Sequence, residues 1–232
     1  MNTTTTTSPS GTGSGKKMNF TRGTGATSGR PYIRTEEDKL MGQNYLRDIV
    51  IYASRFKYFE REDWYVYFAW VGLMSGLIFS ILGFMMVGFV NNVQYPAYAW
   101  NVPIGTAIFI LSISFDTIGH RSAYKEALKS GEALVHHITI FMGITSCVLL
   151  CLAYTHRAFF AVPALVFTGL SVMYSVIDEA MHWKRYAEGN SDRVEMWAHS
   201  GIFIGHSIMM AAWVYWFYEG YPGVAETLQY LK

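Results

Sequence analysis

Five stretches of the chain, residues 64–90, 101–119, 137–154, 159–177 and 199–217, are apolar enough to cross a bilayer, and this limits the fold more than anything else. A helix of roughly 20 apolar residues covers the hydrocarbon core. In hydrocarbon each backbone amide must be paired inside the protein, so runs of this length are expected to be helices. The expected fold is all-α, an integral membrane helical bundle with five transmembrane helices. Charged residues make up 15% of the chain, below the roughly 25% of a soluble domain. A formal net charge of +1 removes the electrostatic case for nucleic acid as a partner. Two cysteines exclude a disulfide scaffold.

Residues 1–43 are rich in Thr, Ser and Gly and read as a flexible polar tail with no apolar core for a signal peptide. Residues 44–62 space Leu46, Ile49, Val50, Ala53 and Phe56 at helical intervals among Arg47, Arg55 and Lys57. That pattern predicts an amphipathic helix lying on the membrane surface. Residues 63–232 form the membrane domain. Lys and Arg concentrate before the first span, in 120–136 and in 183–198, while 91–101 carries none and 155–157 only Arg157. The alternation places the N-terminus in the cytoplasm of a cell or inner membrane.

A shift of 62 residues aligns two segments without a gap, 116–143 with 178–205. The shared pattern is Asp-x3-His-x3-Tyr-x-Glu-x10-His-x2-Ile-Phe-x-Gly. Each copy spans the end of one helix, a polar loop and the start of the next. The domain therefore contains two parallel-repeat helix hairpins, about 103–155 and about 159–217, related by an approximate two-fold axis along the membrane normal.

Asp116 and His120 lie one turn apart on one helix face, as do Asp178 and His182. His137 and His199 open the returning helices. The expected sites are Asp116, His120 and His137 from the first hairpin, and Asp178, His182 and His199 from the second. Ionisable groups inside a bilayer are costly and mark function. Carboxylates with imidazoles, and no Cys cluster, suit a transition metal: zinc, copper or iron. Tyr124, Tyr186, Glu126 and Glu188 are candidates to orient those ligands. Glu179, Glu195 and His206 are candidates for an extra ligand; His206, whose repeat counterpart is Ile144, also fits a proton relay.

These sets resemble those of the Asp/His-bearing membrane subunit of the copper membrane monooxygenases, the particulate methane, ammonia and short-alkane monooxygenases. The family pattern is Asp-x3-His and a later His, then Asn-x3-His and another His. Asp116, His120 and His137 are similar to the first set. Asp178, His182 and His199 are similar to the second, with Asp178 where the family has Asn. The segment from His137 to Gly143 is similar to the family's His-x3-Phe-x-Gly. The loop between the paired His is about one helical turn longer here. The resemblance implies copper, further membrane subunits, and oxidation of a small apolar substrate or ammonia by O2. Two alternatives stand beside it. One is a metal-ion or proton transporter built on the same Asp/His layer, and the other is a b-type cytochrome anchor.

Overall fold

The computed structural model describes residues 41–232 apart from 43, 125–129 and 190. The polar tail up to residue 40 and Glu126 lie outside the described residues. Every regular element among the described residues is helical. Helix α1 is Tyr45–Ala53, followed by a 3-10 turn, Ser54–Tyr58. The long helices are α2 (Arg61–Val90), α3 (Asn101–Gly119), α4 (Ser130–Thr155), α5 (Arg157–Ala187) and α6 (Arg193–Tyr218). A short α7 (Val224–Leu228) follows. The five long helices are each long and apolar enough to cross a membrane, as the sequence predicts.

The two hairpins are not packed as separate units. Helix α3 packs along α6, and α4 along α5, while α2 lies against α3 and α7. The exchange of α3 with α5 and of α4 with α6 turns one close pair into the other, as a two-fold axis along the membrane normal requires. The α3–α6 pair is tight because two glycines meet. A Cβ on Gly205 would stand 2.6 Å from the Phe109 amide nitrogen and 2.8 Å from the Gly105 carbonyl. Gly201, one turn earlier, lies against Ser112. Small residues at four-residue spacing let helix backbones approach where lipid supplies no hydrophobic drive. Nearer the far end, Met85, Leu150, Met210, Trp213, Trp216 and Phe217 form the apolar core.

The amphipathic segment departs from its expected shape. It breaks after Ala53; its fully buried residues are Asp48, Tyr52 and Arg55, while Ile49 and Phe56 are half-buried against the cluster of Tyr52, Ile118 and Val194. Leu46 and Val50 are 73% and 68% exposed. The segment docks on its own bundle through ion pairs: Asp48 with Arg193 at 2.6 Å and Arg55 with Asp192 at 3.0 Å. Burial of these charges is tolerated because each has a partner. Beside them Asp63 pairs with Arg121 at 2.6 Å. The docked segment covers the end of the bundle that carries the Asp/His layer. Its outward Leu46 and Val50 remain placed for the membrane interface.

Candidate metal centre

Regular α-helix puts Asp116 and His120 on one face of α3, and Asp178 and His182 on one face of α5. His120 starts a π turn, His120–Tyr124, that closes α3. Helix α4 contributes His136 and α6 contributes His199. These six side chains form two groups whose ligand atoms lie within 4.8 Å of one another. One is Asp116, His120 and His182; the other is His136, Asp178 and His199. Asp116, Asp178, His182 and His199 are 2–4% exposed. The groups are adjacent: the His182 and His199 rings stack with centroids 3.3 Å apart, and those of His120 and His136 are 5.5 Å apart.

The nitrogen–oxygen distances are informative. Asp178 Oδ2 is 3.3 Å from both His136 Nδ1 and His199 Nε2, and Asp116 Oδ2 is 3.4 Å from His120 Nε2. Charge-assisted hydrogen bonds are shorter, near 2.8 Å. Two ligands of a tetrahedral ion, each bound at about 2.1 Å, stand about 3.4 Å apart. Asp116 Oδ1 and Asp178 Oδ1 are buried without a hydrogen bond among the described residues. Such atoms are expensive in a low-dielectric interior. The donor set and its spacing fit a cation.

The outer contacts orient two of the imidazoles. His199 Nδ1 is 2.8 Å from Glu179 Oε2, so its Nε2 is turned toward Asp178. Glu179 is itself held by Ser200 Oγ at 2.6 Å and Trp183 Nε1 at 2.8 Å, both donating to it. His182 Nδ1 lies 2.9 Å from the Asp178 carbonyl, so Nε2 is the nitrogen that can coordinate. A carboxylate or carbonyl behind the imidazole is the usual support of a metal-bound histidine.

The layer expected from the sequence is present, but its partition differs. His182 joins Asp116 and His120 rather than Asp178, because α5 stands across from α3. His137 joins neither group: it is exposed, on the α4 face shared with the exposed Leu134, Phe141 and Val148. His136 takes part instead. It shares its face with Gly143, Ser146 and Leu150, and the last two are fully buried. That inward stripe of small residues was the available signal for His136.

Other candidates fall outside the groups. Glu195 is buried in an ion pair with Arg185. Tyr186 sits near Trp183, and Glu188 is exposed past the end of α5. Tyr124 lies in the π turn that closes α3. His206 is hydrogen-bonded to serines of α5.

An apolar cavity of about 220 Å³ lies between α2, α4 and α6. Trp70, Leu73 and Met74 form one wall, and Ile140, Ile144 and Val148 another. His136, Asp178 and His199 all line it, as do Ser175 and His206. Comparison of the chain with family models, with curated proteins and with solved structures finds no match.

Proposed function

We propose that this chain is a membrane-embedded transition-metal-binding subunit of an oxygen-activating oxidoreductase complex, with monooxygenase-like chemistry. The observation that carries the reading is the set of 3.3–3.4 Å carboxylate–imidazole distances in two buried groups. They are long for hydrogen bonds and suited to a shared ion. The outer contacts from Glu179 and the Asp178 carbonyl support it. Copper is the first metal proposed, on the resemblance of the Asp/His sets to those of the copper membrane monooxygenases; iron and zinc suit the same donors. The apolar cavity beside the Asp178 group suits a small uncharged substrate taken from the membrane. The described residues form no soluble domain to receive electrons, so other membrane subunits are proposed as partners.

The test is elemental analysis with optical and paramagnetic resonance spectra of the detergent-purified protein, beside an Asp116→Ala, Asp178→Ala double variant. One or two equivalents of copper, lost in the variant, with no Soret band, are the expected result. No bound metal in either protein would end the reading and turn attention to proton movement through the same layer.

A further inference from the structure

The cavity beside the Asp178 group is long for its volume. Its wall on α4 runs from His136 to Val148, a rise of about 18 Å along an α-helix. On α6 the wall runs from His199 to Met209, and on α2 from Trp70 to Leu77. A volume of about 220 Å³ spread over that length makes a slot along the membrane normal. The Asp178 group closes one end, and Cys147, Val148 and Met209 line the other. Polar side chains between the ends are turned to protein partners. Thr139 Oγ1 donates to the Val135 carbonyl at 2.9 Å, and His206 is bonded to Ser171 and Ser175. Apolar cavities of this size stay dry and take apolar ligands.

The slot also opens sideways. Helix α2 packs on α3 and α7, and α4 on α5 and α6, so α2 and α4 face each other across the slot without close packing. Leu73 of α2 and Ile144 and Val148 of α4 line the slot and are 53%, 39% and 52% exposed. Both helices are long and apolar enough to cross a membrane, so this rim faces hydrocarbon. An apolar molecule already in the bilayer enters there without crossing water. Dispersion contacts are individually small and grow with the number of atoms touching. The occupant that fills the whole length is therefore held better than one that fills a part of it.

We infer that the slot binds an unbranched alkyl chain of medium length, taken sideways from the bilayer, with one end at the His136, Asp178 and His199 group. Length selects a chain over a gas-sized molecule, and narrowness selects an unbranched chain over a cage or fused ring. The apolar rim excludes a charged ligand, because nothing there offsets the loss of its hydration. None of Asp116, His120 and His182 lines the slot, so the chain meets one group and not the other. The inference narrows the substrate of the function proposed above from any small uncharged molecule to a chain. Its role as substrate rests on that reading; its binding does not.

The test is photolabelling of the full chain in lipid nanodiscs with decane that carries a terminal diazirine, the adducts being mapped by mass spectrometry. Saturable labelling of Ile144 and Cys147 is expected. Excess n-decane should displace it about tenfold more effectively than adamantane, a cage of the same carbon number, as a fitted apolar pocket discriminates. Ile144→Trp and Val148→Trp, each at the half-open rim, should abolish it by filling the slot. Val162 on α5 is 70% exposed and lines no part of the slot. Its labelling should be neither saturable nor displaced, and Val162→Trp should leave the slot labelling intact. A phosphatidylcholine with the same diazirine in one acyl chain separates the two sources of such a chain. Labelling of the slot by this lipid identifies the bilayer's own acyl chains, and labelling by the decane probe alone identifies a free chain; both uphold the inference. Labelling at Ile144 and Cys147 no more saturable than at Val162, or equal displacement by adamantane, would overturn it. Binding is read without metal or turnover. A chain that holds no copper would sink the metal reading alone, and a slot that takes no decane would sink this inference alone.

Discussion

His136 and His137 are neighbours in sequence and point to opposite sides of α4. The repeat drew attention to His137, because it aligns with His199. Sequence identity records ancestry and spacing, while the register of a helix decides which of two adjacent side chains faces inward. His136→Ala is therefore expected to lower metal content by about one equivalent, and His137→Ala to leave it unchanged, as read by elemental analysis. Glu179, read from the sequence as an extra ligand, stands behind His199 instead. Its carboxylate holds His199 Nδ1, and Glu179→Gln removes that charge while keeping the shape. Loss of such an outer partner costs about 10–100-fold in metal affinity. Competition with a chelator of known strength would show the weakening, and an unaltered affinity would separate Glu179 from the centre.

The elements explain why most members of the two candidate groups were legible and their grouping was not. Each Asp-x3-His pair sits within one helix, where spacing fixes the face. The assignment of a third ligand depends on which helices touch, and here the close pairs run between the repeats. The α3–α6 seam gives a second test at this scale. Gly205→Ala forces a Cβ against backbone atoms of α3, a cost of about 1–3 kcal/mol. Gly83→Ala, where nothing lies within 4 Å of the added atom, is the control. Thermal unfolding in detergent should separate the two.

The docked N-terminal segment carries a pH dependence of its own. Burial is the main cause that raises the Tyr52 phenol well above 10.0, with Asp192 and Glu195 adding to it. A group whose folded pKa is raised contributes stability that is fully present below its unfolded value, about 10. Docking of this segment should therefore hold up to about pH 10 and weaken as pH rises from there toward the raised value. Tyr52→Phe should flatten that loss. Protease cleavage near residue 58, followed from pH 8 to 11, reads it directly; identical profiles for the two proteins would remove Tyr52 as the cause.

Over the whole molecule the two-fold relation governs helix packing but not chemistry. The number and order of spans came through in the sequence, because hydrocarbon demands long apolar runs. The asymmetry did not, since it lies in side chains that break the repeat: His136 against Ala198, and His206 against Ile144. One group borders the cavity and the other does not. Orientation follows from the same plan. The Asp/His layer lies at the end of the bundle where α3 meets α4 and α5 meets α6. The described basic residues Arg121, Lys184, Arg185 and Arg193 gather there too. Positive charge is retained on the cytoplasmic side, so the layer and α1 are expected to face the cytoplasm and α7 the opposite side. Cysteines placed singly at Asn91, Glu188 and Glu219, all exposed, test this once Cys147 and Cys151 are changed to Ala. In intact cells stripped of outer layers, an impermeant maleimide should label positions 91 and 219 and reach 188 only after lysis. The reverse pattern would invert the protein, and the metal centre would then have to load from outside.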